Sequence, residues 1–189
     1  MFDTEQFIAD CRSALAADES PRLVREVVAR AVSDPAAILK ELGEPTRGGL
    51  YPLYRSEDLT IINMVWAPYM TLMPHDHRMW AVIGIYTGRE DNIFWRRLSS
   101  RNGHIEAVGA KALAAGDAAP LKHDIIHSVI NPIPRLTAAI HIYAGDFFAV
   151  ERSEWDPETL DEQRWTTEHA MRRFEESNWI IDHLGVDAV

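Results

Sequence analysis

Between a cluster of chain breakers at Gly43, Pro45 and Gly48-Gly49 and the dipeptide Asp156-Pro157, the sequence is a succession of short β-rich runs with no helical periodicity between them. The runs are Leu50–Arg55, Leu59–Trp66, Met70–His77, Trp80–Tyr86, Asp91–Leu98, His104–Lys111, Ile125–Asn131 and Leu136–Tyr143. Turn chemistry separates them at Ser56-Glu57-Asp58, Thr87-Gly88, Asn102-Gly103, Gly116-Asp117 and Asn131-Pro132. Short strands at regular spacing must share a core, which predicts a mainly β sandwich or closed barrel.

Helical texture flanks this region. Residues 4–42 predict two or three short helices, with Ser20-Pro21 and Ser33-Asp34-Pro35 as N-caps followed by proline at the first helical position. Leu23, Val24, Val27, Val28 and Ala31 recur at helical spacing and call for a packing partner. Residues 158–184 predict a C-terminal helix with Leu160, Met171, Phe174 and Ile181 facing inward. The acidic stretch through 151–162 reads as a linker leading into it. One domain over 1–189 is expected: a helical segment over 1–43, a barrel over 50–150 and a helix over 157–184.

Composition narrows the partners. A net charge of -10, from 29 acidic and 19 basic residues, opposes binding to nucleic acid or an anionic membrane, both of which need a positive field. Small molecules are the expected partners. Cys11 is the only cysteine, so neither an internal disulfide nor a cysteine zinc cluster can form. With no long apolar run after the acidic N-terminus, a cytoplasmic location is expected. Oligomeric state is not encoded in any pattern of this sequence.

The chemistry concentrates on His75-Asp76-His77. Alternation along a strand turns His75 and His77 to one face and Asp76 to the other, so two imidazoles converge. A third imidazole from a neighbouring strand would complete one face of a metal's coordination sphere and leave the opposite positions open.

These residues resemble the cupins. The first cupin motif has a His-x-His pair, a glutamate three or four residues later and a closing glycine. His75, His77 and Gly88 fit, and Ala81 or Val82 stands where the glutamate would be. The second motif is matched at Gly116, His127 and Asn131, with Lys122 and Asp124 in place of its proline and glycine. That register selects His127 over His123. The resemblance implies a double-stranded β-helix (jelly-roll) barrel with N-terminal helices and a C-terminal helix, holding a metal inside its open end.

Three histidines without the glutamate resemble the cysteine dioxygenase type of thiol dioxygenase. Such enzymes carry a His-x-Tyr pair beside the iron, matched here by His141 and Tyr143, although the serine that precedes the histidine by two is Ala139. An arginine on an early strand binds the substrate carboxylate in that family. Arg55 is the matching residue, and Arg78 competes but faces away from His77 by parity. The cysteine that some members cross-link to the tyrosine would fall near Val82, so this chain lacks the cross-link.

The resemblance therefore implies Fe(II), or another divalent transition metal, on His75, His77 and His127, with a small thiol such as cysteine and O2 as substrates and a sulfinate as product. In this reading Arg55 clamps the carboxylate, Tyr143 donates to the bound oxygen or sulfur, and His141 fixes the tyrosine proton. The alternatives are another metal-dependent cupin enzyme, such as a carbon–carbon cleaving dioxygenase or an isomerase, and a non-catalytic metal- or small-molecule-binding cupin. His104, His169, His183 and the tryptophans read as surface or packing residues.

Overall fold

The computed structural model describes residues 1–99 and 103–184. Asn102, half of the expected Asn102-Gly103 turn, lies outside them; Gly103 takes the positive φ of 80° that such a turn needs. In chain order the elements are α1 Thr4–Ala17, α2 Pro21–Val32, α3 Pro35–Leu42, β1 Gly49–Arg55, β2 Thr60–Trp66, β3 Thr71–Asp76, β4 Ala81–Thr87, β5 Arg89–Arg97, β6 Ile105–Ala114, β7 Ala118–Leu121, β8 Ile126–Ile130, β9 Thr137–Tyr143, β10 Ser153–Trp155, β11 Glu162–Arg164, α4 Thr167–Ser177 and α5 Trp179–Leu184.

Two antiparallel sheets result, one ordered β1-β2-β9-β4-β7 and the other β11-β10-β3-β8-β5-β6. Strands distant in sequence are neighbours within each sheet, as in a jelly roll, and the fold is a mainly β double-stranded β-helix with flanking helices. Among the described residues no helix is long and apolar enough to cross a membrane.

The central strands explain how one sequence covers two faces. Every residue of β9 is buried. Its Ala139 and Tyr143 join an inner core with Ile62, Met64 and Trp66 of β2 and Ala81, Ile83 and Ile85 of β4. Ala138, Ile140 and Ile142 join an outer core with Val24, Val28 and Val32 of α2. The helical valines thus have their partner in the back of this sheet. Contact is close at Gly84, where a Cβ would stand 2.3 Å from Val28 Cγ1. α2 and α3 begin as expected, capped by Ser20 and Asp34 with Pro21 and Pro35 in their first turns, and Asp3 caps α1.

Gly88 and Asn131 hold the corner that leads into β5. Gly88 has φ 77° and lies so close to Thr137 that a Cβ would meet its Oγ1 at 2.2 Å. The Arg89 N–H donates to Thr137 Oγ1 at 2.9 Å, and Asn131 Nδ2 donates to the carbonyls of Ala67 and Arg135 at 3.0 and 2.8 Å. This corner sets the start of β5, and with it the inward direction of the next residue, Glu90.

The C-terminal region departs from expectation. Residues 158–166 are not helical: α4 begins at Thr167, capped by Thr166, and α5 follows Asn178. The stretch expected as a linker carries β10 and β11, and β10 pairs with β3 through Glu154 and His75. The physical cause is Trp155, fully buried against Ile105 and Ile126 with its Nε1 donating to the Gly103 carbonyl at 2.7 Å. Ser153 N–H donates to Asp76 Oδ1 at 2.8 Å, which gives Asp76 a structural part. Burial of one aromatic ring outweighs the acidic character of its neighbours.

Candidate metal centre

His75 and His127 are directly opposed across the β3–β8 pair, and His77 follows the end of β3. The three side chains are buried. Their Nε2 atoms converge, 3.2 Å between His75 and His77 and 3.1 Å between His127 and His77. The other ring nitrogen of His75 lies 2.9 Å from the Met73 carbonyl, an acceptor, so Nδ1 carries the proton and Nε2 presents its lone pair. His127 Nδ1 lies 2.6 Å from Asn92 Oδ1 and is fixed in the same way. The Nε2 lone pairs of His75 and His127 are turned to His77 Nε2, whose ring has no partner at Nδ1 among the described residues, and a first-row transition-metal ion at about 2.1 Å from each nitrogen spans these separations.

Burial pushes all three imidazoles toward the neutral, ligating form. His75 is lowered to about 3, mainly by desolvation, with the Arg152 charge acting in the same direction. His77 and His127 fall well below the ordinary histidine value, first through burial and then through neighbouring histidines and Arg152. Among the described residues, the group that could hold a metal ion is His75, His77 and His127. Of the two candidates for the position of the missing glutamate, Ala81 lies in the inner core and Val82 in the outer one, and neither offers a ligand.

His141 and Tyr143 reach the same cavity from β9. The cavity is also lined by Met64, Trp66, Phe147, Trp165 and Phe174, so the C-terminal segment and α4 cover it. Tyr143 stands edge-on to His77, ring centroids 5.0 Å apart, and its hydroxyl is 3.2 Å from His141 Nδ1. Burial raises the Tyr143 phenol above its ordinary range.

Behind these residues lies a network that sequence reasoning missed. Glu90, fully buried on β5, accepts from Trp66 Nε1 at 2.8 Å and from Asn92 Nδ2 at 3.0 Å, and His141 Nε2 lies 3.1 Å from its Oε2. The signal was available: Glu90 and Asn92 alternate with the more exposed Arg89, Asp91 and Ile93, so two polar residues occupy inward positions of a strand.

The structure does not bring Arg55 to the cavity. It lies half exposed at the end of β1, paired in bidentate fashion with Asp146 at 2.9 Å and stacked over Phe148, and it is not among the lining residues. Arg78, at φ 56°, turns back to pair with Asp76 at 2.8 Å. The buried cation near the centre is Arg152, 4% exposed, which is likewise not among the lining residues but packs against two that are, with its guanidinium 3.9 Å from the Phe147 ring centroid and 4.4 Å from that of Trp165. Its Nη1 donates to the Phe147 carbonyl at 3.0 Å. Among the described residues Nε and Nη2 have no partner, and neither does Trp165 Nε1. Burial lowers Arg152 to about 10, which leaves it charged at neutral pH. Nothing in the sequence marked this residue, because its burial depends on β10 docking against β3.

No family model matches the chain. Among solved structures it is similar to oxalate decarboxylase from Bacillus subtilis, described with Mn(II) centres, at 16% identity over 50% of this chain and 23% of that one, with a TM-score of 0.40. It is also similar to an RmlC-like cupin from Methanocaldococcus jannaschii, at 11% identity over 56% and 86% of the two chains and a TM-score of 0.44. A Klebsiella pneumoniae protein with a double-stranded β-helix domain matches at 16% identity over 64% and 82%, with a TM-score of 0.41. This chain therefore spans less than a quarter of the oxalate decarboxylase it matches.

Proposed function

We propose that this protein is a metal-dependent thiol dioxygenase that converts a small carboxylate-bearing thiol and O2 to the corresponding sulfinate. The observation that carries this reading is a carboxylate-free set of three neutral imidazoles beside a buried arginine with unpaired donors. Both features favour an anionic guest. Fe(II), held by His75, His77 and His127, would keep its full double charge and supply coordination positions for a thiolate and for dioxygen.

The chain's own residues bind and orient. Arg152, rather than Arg55, is the candidate carboxylate anchor: its Nε and Nη2 form the planar fork that suits a bidentate carboxylate, and the Phe147 and Trp165 rings fix its plane. Trp165 Nε1 adds a donor on the same wall. Met64, Trp66, Phe147 and Phe174 exclude water from the reacting sulfur, which protects it from other oxidants. The overall reaction balances with no external reductant, since both atoms of O2 end on the sulfur and one proton is released from the thiol.

The test is oxygen uptake by iron-loaded protein with cysteine, mercaptopropionate and cysteamine. One sulfinate per O2 is expected with the first two, and far slower turnover with cysteamine, which has no carboxylate. Absence of uptake with all three thiols would remove the assignment.

A further inference from the structure

Glu90 has no access to solvent and touches none of the three histidine ligands, yet it ends two chains of hydrogen bonds that reach opposite sides of the cavity. A carboxylate can only accept. Trp66 Nε1 can only donate, so Oε2 is committed as an acceptor, and His141 Nε2, 3.1 Å from that oxygen, must present a proton to it. The His141 Nδ1 is then bare and accepts the Tyr143 hydroxyl proton across 3.2 Å. A phenol whose proton is spent in this way shows the cavity only lone pairs.

The second chain runs through Asn92. Its amide nitrogen faces Glu90 Oε1, which forbids the flipped orientation because amide oxygen would then face carboxylate oxygen. Asn92 Oδ1 is therefore turned to His127 Nδ1 at 2.6 Å and keeps the proton there, leaving Nε2 free to ligate.

We propose that Glu90 is the positioning residue that sets the protons on both sides of the centre: it makes Tyr143 a hydrogen-bond acceptor toward the ligand and keeps His127 in its ligating tautomer. This reverses the role expected from the sequence, in which Tyr143 donates. A ligand that engages Tyr143 must bring a donor, such as an amine N–H or a thiol S–H.

The inference rests on the metal-centre reading above, and its test needs no turnover, so its failure is separate from failure of the oxygen-uptake assay. Long-range proton–nitrogen NMR on the metal-free, full-length protein with labelled histidine reads which nitrogen of each ring is protonated, His141 being assigned by its loss in His141→Gln. The expected pattern is His141 protonated on Nε2 and His127 on Nδ1; His141 protonated on Nδ1 overturns the proposal. In Glu90→Gln an N–H2 group must face one of the former donors, so the His141 proton should move to Nδ1 or cobalt(II) affinity should fall about ten- to hundredfold. A folded Glu90→Gln protein with the wild-type tautomers and undiminished cobalt affinity also overturns it. Should that variant fail to fold, the wild-type spectrum decides.

Discussion

Two walls of polar residues packed around the cavity lining treat their buried groups in opposite ways. On the wall of β2, β5 and β9, Glu90, Asn92, His141, Tyr143 and Trp66 are all joined by hydrogen bonds. On the wall built from β10 and the segment before α4, Arg152 Nε and Nη2, Trp165 Nε1 and Glu154 Oε2 have no partner among the described residues. Each such group costs about 1 to 3 kcal/mol when desolvated and unpaired. The paired wall has its geometry before any ligand arrives, while on the other wall the Arg152 and Trp165 donors lack acceptors, which an anionic ligand would supply. On the proposed function, the first would be a scaffold for proton placement and the second a binding surface.

Replacing Arg152 by methionine tests this contrast most severely, because activity and stability should move in opposite directions. Methionine keeps contact with the Phe147 and Trp165 rings and removes the unpaired donors, so the ligand-free protein should unfold at an unchanged or higher denaturant midpoint. Loss of a buried, charged anchor should cost about 2 to 4 kcal/mol in the transition state. That corresponds to a fall of roughly 30- to 1,000-fold in kcat/KM for a carboxylate-bearing thiol. The slow rate with cysteamine should not change. A destabilised variant with undiminished kcat/KM would make Arg152 a structural cation and undo the distinction between the walls.

The three clustered histidines give a second, smaller effect. In the metal-free protein the folded-state value of His75 lies at about 3, below the ordinary 6.5, because burial disfavours its charged form. On acidification the unfolded chain takes up this proton first, so native stability is full above about 6.5 and is lost progressively as the pH falls toward 3. A single imidazole contributes up to about 1.4 kcal/mol per pH unit inside that window. His77 and His127 are shifted in the same direction and steepen the loss. Urea midpoints measured between pH 7 and pH 5 should fall in the metal-free protein. A flat profile would mean that the cluster is hydrated and not the dry site described above.

How much of this could be read from residues alone follows the same division. The clustering of the three histidines was legible because strand parity aligns His75 with His77 and because the spacing from Gly116 to Asn131 selects His127. The outer packing of α2 and the caps of the first helices were legible from local periodicity and cap chemistry. Glu90 and Asn92 sat in the open, as polar residues at inward positions of a strand. Arg152 was hidden, because β10 and β11 have three residues each and exist only through pairing with β3 and the burial of Trp155. Acidic neighbours gave that stretch the look of a linker, and no local pattern encodes a long-range docking of this kind.

Arg55 supplies the smallest effect and the sharpest control. Its sequence position recommended it as the carboxylate clamp, and its chemistry is the same as that of Arg152. The environments differ: Arg55 is 52% exposed at the side chain and both its hydrogen-bonding nitrogens, Nε and Nη2, are spent on Asp146. An exposed ion pair of this kind is worth less than about 1 kcal/mol, and its loss leaves no charge buried. Arg55→Ala should therefore lower the unfolding midpoint only slightly and leave kcat/KM for a carboxylate thiol within about twofold of wild type, a change of under roughly 0.5 kcal/mol. A drop of tenfold or more would mean that Arg55 abandons Asp146 to meet the ligand, transferring the clamp from the buried wall to the rim. Measured beside Arg152→Met, the two arginines separate what burial contributes from what the guanidinium contributes.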